Sequence, residues 1–272
     1  MNNTDMRSLY GLKYNPFLPD VPPESLFKIP GSEQFFQRVQ TMASQGGFAL
    51  ITGDPGLGKS KTLQSIAHRL EQIPDLTFGV IQRPQSALTD FYRELGELFN
   101  VGLSPANRYG GFKALRTRWK NHCQSTLLRP VLLIDEAQQV STECLTELRL
   151  LQSHHFDSQN LLFTILCGDG RLPERFRSAD LLPLGSRIGP RLVLLPLVPE
   201  QLQDYLNFAL QQAGNAKLMT TELIRTLAAH CANNLRVLNQ MAAELLTAAA
   251  ERNLPRIDEK LFFELFSPTA SK

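Results

Sequence analysis

The stretch ITGDPGLGKSKT (51–62) joins an apolar β run, FALIT (48–52), to a segment of helical period that continues to about Leu70. Gly53, Gly56 and Gly58 fall within six residues, and Lys59 and Ser60 follow at once. GDPGLGKS (53–60) fills every position of G-x-x-x-x-G-K-S in the strand–turn–helix context that this pattern requires. Glycines let successive backbone N–H groups converge on phosphate oxygens at a helix N-terminus, where the dipole also favours an anion. On this reading Asp54, Pro55, Gly56, Leu57, Gly58, Lys59, Ser60 and Lys61 cradle a nucleotide. Lys59 reaches its β- and γ-phosphates, and the Ser60 hydroxyl ligates Mg2+.

Downstream, VLLIDEAQ (131–138) supplies the complement. A continuous apolar run that ends in acids is the pattern of a buried parallel strand with its C-terminal end at a site. Asp135 is placed to hold Mg2+ through its water shell, and Glu136 to orient and deprotonate an attacking water. Loop and acids together indicate an ATPase or a relative. A GTPase would need an N-K-x-D base-reading motif, and no Asn-Lys pair occurs. A small-molecule kinase gives no reason for Glu136. DEAQ resembles a helicase box, but such helicases carry two tandem motor domains, and the chain after Leu197 is helical and too short for a second.

Around these motifs, strand-like and helix-like segments alternate, the sign of a parallel α/β sheet. Strands are expected at LTFGVIQ (76–82), PVLLIDE (130–136), LLFTILCG (161–168) and LVLLPL (192–197). SEQFFQRVQTMASQ (32–45) reads as a helix with a Ser cap. SALTDFYRELGELFN (86–100), FKALRTRWKNHCQSTL and CLTELRLLQSH also have helical period, and VGLSPANRYGG reads as a turn. From residue 199 to 267 every segment has helical period. The expected organisation is a nucleotide-binding core over residues 1–198, with an irregular N-terminal wrapping segment to residue 31, and a small all-α lid over 199–272.

Net charge is only +2 across 272 residues, so contact with a polyanion would need local clustering of cations. The four cysteines show no C-x-x-C spacing and read as reduced thiols. MNNTDMRSLYG lacks an apolar h-region, and no run approaches the ~18 apolar residues of a membrane span. A cytoplasmic protein without a membrane segment is expected. His154–His155 have no third ligand nearby and read as ordinary surface or core residues.

YGLKYNPF, GGFALITGDPGLGKSKTL, VLLIDEAQ, a strand ending CGDGRLPERF, and NLRVLNQMAAELL occur in an order that resembles the ExeA-like branch of AAA+ ATPases, which includes the transposition regulators TnsC and TniB. The resemblance implies an AAA+ P-loop core with a helical lid, and ATP held between subunits of a ring or helical filament around double-stranded DNA. It places Tyr14, Asn15, Pro16 and Phe17 against the base, Asp169 at the water-positioning sensor and Arg236 at the second sensor in the lid. Arg187, with Arg191 as runner-up, would be presented to the neighbouring subunit's nucleotide. By the same resemblance, the task is to link a target-site selector to a transposase. The alternative is an ExeA-like ATPase driving assembly of a secretion complex, a role that usually comes with a membrane segment and a peptidoglycan-binding extension.

Residues 108–129 hold six cations and no acid. Lys113, Arg116 and Lys120 share one helical face, with Trp119 and Tyr109 nearby. Such a stripe can neutralise phosphates without reading sequence. Arg83 is a further candidate for DNA contact, and Arg171, Arg175 and Arg177 are candidates for DNA or for a subunit interface.

Overall fold

The computed structural model describes residues 3–84, 87–103 and 107–266. The expected helix start at Ser86, the turn residues 104–106 and both chain ends lie outside the described residues. Compactness divides the chain into two units. One comprises residues 28–55 and 59–194, and the other comprises the chain to Phe27, residues 56–58 and everything from Leu195 onward.

The larger unit is built on five strands: β1 (Gly47–Gly53), β2 (Phe78–Ile81), β3 (Val131–Ile134), β4 (Phe163–Gly168) and β5 (Ile188–Leu194). They pair in parallel in the order β2-β3-β4-β1-β5. Every residue of β3 and β4 is buried, which explains why both run apolar except at Thr164. β5 pairs with β1 alone and alternates strictly, with Ile188, Pro190, Leu192 and Leu194 inward. The apolar run 192–197 therefore overstates one end of β5 and misses the other. Pro190 lies where the β1–β5 register shifts, a position that tolerates a missing N–H.

Helices α2 (Ser32–Gln45), α3 (Lys59–Leu70), α4 (Leu88–Leu98), α5 (Arg108–Thr126) and α6 (Thr142–Gln152) connect or flank the strands. Gly31, in a left-handed conformation, caps α2 instead of Ser32, whose hydroxyl donates to Ile29 O. Asn107 and Ser141 cap α5 and α6 through bonds from Gly110 N and Cys144 N, and these caps start both helices earlier than periodicity alone suggests. Between α6 and β4, Ser153–His154 pairs with Gln159–Asn160 in a short hairpin. One face of the sheet buries Phe48, Leu50, Leu132 and Ile134 against Phe91, Leu95, Leu115, Trp119, Leu145 and Leu148. Within that layer Glu147 is buried yet satisfied, accepting from the Tyr92 hydroxyl and the Arg108 guanidinium.

The smaller unit contains α9 (Pro199–Ala213), α10 (Thr221–His230), α11 (Leu235–Glu251) and α12 (Glu259–Phe266); the intervening short helices α7 (Arg171–Arg175) and α8 (Leu182–Gly185) belong to the sheet unit. The N-terminal segment contains a helix, α1 (Asn3–Tyr10), where irregular chain was expected. This segment packs on the C-terminal helices. The Tyr10 hydroxyl donates to Leu254 O (3.0 Å), Lys13 N to Ala213 O (2.8 Å), and Phe27 meets Tyr205 and Phe208 edge-on at 5.6 Å. Among the described residues no helix is long and apolar enough to cross a membrane.

Candidate nucleotide site

Strand order brings the chemistry together. β3, β4 and β1 are neighbours, with Ile134 opposite Leu166 and Thr52 opposite Gly168. The glycine loop after β1, the acids after β3 and the residues after β4 therefore leave the same edge of the sheet. At β1 the strand order reverses, which is where open parallel sheets form a crevice for ligands.

Gly53 must be glycine, because a Cβ there would lie 2.8 Å from Leu194 O. Gly56 and Gly58 have φ of +87° and +93°, a region that strains other residues. Gly56 belongs with the helical unit: its carbonyl accepts from Arg236 N (3.3 Å), and a Cβ on it would collide with Asn234. Asn234 in turn caps α11 by accepting from Arg236 N and Val237 N. Lys59 opens α3, is 8% exposed, and donates to Gly53 O (2.9 Å) and Asp54 O (3.0 Å). Its ammonium is thus held at the mouth of the loop. Ser60 is exposed, Leu57 is buried, and Lys61 donates to Gln64.

Asp135 extends the β2–β3 ladder through its N–H to Ile81 O (2.9 Å), and its Oδ1 accepts from Glu136 N (2.9 Å). Glu136 takes a left-handed conformation (φ +50°), rare for a residue with a side chain and costing on the order of 1–3 kcal/mol. Its carboxylate accepts from the amide of Gln138 (2.5 Å). Cys167, wholly buried on β4, lies beside Asp135. Burial pushes its thiol well up, and the neighbouring Asp135 charge pushes it further. An oxygen-only donor set of Ser60 and Asp135 suits Mg2+, and a glycine loop at a helix N-terminus suits phosphates. The residues fit ATP with Mg2+.

The family model described as "AAA domain" matches residues 41–176, half of the chain. The chain belongs to the AAA domain family. Its fold is the AAA+ P-loop core, a parallel sheet flanked by helices, with a helical C-terminal region. This AAA domain chain is 31% identical over 217 residues to general secretion pathway protein A of Aeromonas hydrophila, covering 78% of the chain but only 39% of that protein. It thus spans about two fifths of that relative's length. Among solved structures it resembles the Aeropyrum pernix ORC2 protein in its ADPNP–ADP complexes, with a TM-score of 0.73 and 16% identity over 95% of this chain and 72% of that one. The Aeropyrum pernix ORC1 protein in complex with DNA gives a TM-score of 0.65 and 18% identity, over 92% and 67%. At these identities the structural likeness speaks to fold alone.

The remaining candidates of this AAA domain have diverse surroundings. Asn15, Pro16 and Phe17 are buried, with Asn15 Oδ1 accepting from Phe17 N (3.0 Å). The Tyr14 hydroxyl is buried without a hydrogen-bond partner among the described residues. Asp169 does not stand alone: Arg171 grips both its oxygens, at 2.6–3.1 Å. That grip holds the carboxyl below the usual carboxylate range. Arg187 donates to Asp157 (2.6 Å) at the tip of the hairpin and to Pro183 O, whereas Arg191 is exposed on β5 with no ion pair among the described residues. The Arg236 side chain is exposed.

On α5 the expected stripe divides. Lys113 and Lys120 are exposed, as is Arg83 after β2. Arg116 is half-buried and donates to Leu150 O (3.0 Å), Leu151 O (2.9 Å) and Ser153 O. It therefore satisfies the carbonyls that end α6, a common station for a cation at a helix C-terminus. Trp119 is wholly buried against Phe99, at 5.3 Å between ring centroids. His154 lies 3.2 Å from Arg116 and stacks on His155 at 4.0 Å, and no metal-binding cluster occurs among the described residues. Sequence reasoning passed over Gln138 and Cys167. Both sit within four residues of a strand end at the site, the one positional signal that could have found them.

Proposed function

We propose that the chain is an AAA+ ATPase of the cytoplasm that binds ATP and Mg2+, oligomerises on double-stranded DNA and regulates transposition by linking a target-site selector to a transposase. The observation that carries the ATPase reading is the emergence of Lys59 after β1 and of Asp135 and Glu136 after β3, the two strands that flank β4, at one edge of the sheet. Ser60 and Asp135 would hold the metal, which when bound offsets phosphate charge. Lys59 binds the phosphates, and Glu136 takes the proton of the attacking water. Arg236 is the proposed second sensor of a lid, and Asn15, Pro16 and Phe17 the proposed neighbours of the base. For the arginine offered to an adjacent subunit we favour Arg191, because Arg187 already holds Asp157. A charge across the interface would favour the assembled, ATP-bound state, and loss of the γ-phosphate would remove that preference.

The DNA part of the reading is supported by the motif order resembling TnsC and TniB, the exposed Lys113, Lys120 and Arg83, and a fold shared with a protein solved with DNA. The 31% relative favours a second reading, an ATPase that drives assembly of a secretion complex. Labelled duplex DNA separates the two. Anisotropy is expected to show tighter binding with ATP than with ADP, and no nucleotide-dependent DNA binding would favour the secretion reading. Replacing Lys113 and Lys120 by Glu should weaken binding and flatten the slope of log K against log salt by about 2. An unchanged slope would put DNA on another surface.

A further inference from the structure

We infer that Gln138 is a positioning residue, aiming the Glu136 carboxylate and tying it to the segment that follows β4. The inference rests on the reading of Glu136 as the general base. Two separated segments meet at this one side chain and its own carbonyl. Gln138 Nε2 donates to Glu136 Oε2 at 2.5 Å, Gln138 Oε1 accepts from Asp169 N at 3.3 Å, and Gln138 O accepts from Arg175 Nη1 at 2.7 Å.

Which way the amide faces follows from its partners. A backbone N–H can only donate and an ionised carboxylate can only accept, so turning the amide over would set donor against donor and acceptor against acceptor. The Asp169 N–H therefore fixes the oxygen end, and the NH2 end is left facing Glu136. Local backbone completes the arrangement. The left-handed Glu136 starts a short 3-10 turn over Ala137–Gln139, closed by Gln139 N to Glu136 O (2.8 Å), which folds Gln138 back over its neighbour. Gly168 leaves room for the amide, since a Cβ there would lie 2.5 Å from Gln138 Oε1. A hydrogen bond to a charged acceptor is among the stronger kinds, and errors near 1 Å in the placement of a catalytic group are felt in turnover.

A plain structural role is the competing account: Gln138 could merely pin the β4–α7 connection to the end of β3. Three substitutions in the full chain separate the two. Gln138→Met removes both side-chain bonds. Gln138→Glu keeps an acceptor for Asp169 N–H but removes the donor to Glu136. Gly168→Ala leaves Gln138 chemically intact and displaces its amide. All three are expected to lower kcat for ATP at least ~10-fold, with KM and the affinity for a non-hydrolysable ATP analogue within about twofold. Melting temperatures verify that each variant folds. Wild-type kcat in Gln138→Met or Gln138→Glu, or an increase in either, overturns the inference, because the donor to Glu136 is then not needed. Loss of nucleotide affinity in step with kcat overturns it too, as the sign of a structural role. Glu136→Gln run in parallel separates the levels. If it is inactive while the Gln138 variants turn over normally, only this inference fails; if it turns over like the wild type, the reading of Glu136 fails and takes the inference with it.

Discussion

Glu136→Gln is expected to lower kcat for ATP hydrolysis by about 10²–10⁴-fold while nucleotide affinity stays within about twofold. The substitution is isosteric and keeps an oxygen that can accept from the Gln138 amide. It leaves Lys59, Ser60 and Asp135, the residues assigned to phosphate and metal, untouched. What it removes is a group able to take a proton. Because binding and chemistry are carried by different residues, the two constants should part. Steady-state hydrolysis and equilibrium binding of a labelled ATP analogue check this. Turnover within threefold of the wild type would show that the base is elsewhere.

Trp119→Ala is expected to destabilise the chain by about 3–5 kcal/mol, the usual cost of emptying an aromatic from a core. The indole is wholly buried between α5 and the sheet and meets Phe99 edge-on at an interplanar angle of 79°. Its N–H has no hydrogen-bond partner among the described residues. Trp119→Phe should therefore cost much less than Trp119→Ala, since it keeps a ring and removes a buried donor that gains nothing. Urea unfolding, with the m-value monitored, measures both. If Trp119→Ala left the midpoint unchanged but weakened DNA binding, the residue would act at a surface and not in the core.

Trp119 illustrates where sequence is legible and where it is not. The phosphate loop is eight consecutive residues whose backbone conformations are local properties, so glycine spacing reveals it directly. The acids after β3 are nearly as plain, because a fully buried strand advertises itself as an apolar run and its polar end as a site. The sheet itself follows from alternation of period. By contrast, Lys113, Arg116 and Lys120 look alike on a helical wheel, and only the packing of α5 on α6 draws Arg116 onto the carbonyls of Leu150 and Leu151. Asp169, placed at the water-positioning sensor by resemblance, is gripped by Arg171, two residues on. The N-terminal segment reads as irregular from its prolines, yet it docks on helices some two hundred residues away through Tyr10 and Asn215. Gln138 escaped notice because two of its partners, Asp169 and Arg175, come from the segment after β4, more than thirty residues on. Apart from Arg171, each of these partners is a tertiary neighbour, and local sequence does not name one.

The central claim is that ATP converts this chain into an assembly on DNA. Electron microscopy of the protein with duplex DNA and a non-hydrolysable ATP analogue tests it most directly. The account predicts rings or helical filaments around the duplex with the analogue and few or none with ADP. Single, unassembled particles under every nucleotide condition, with the DNA bare, would contradict it.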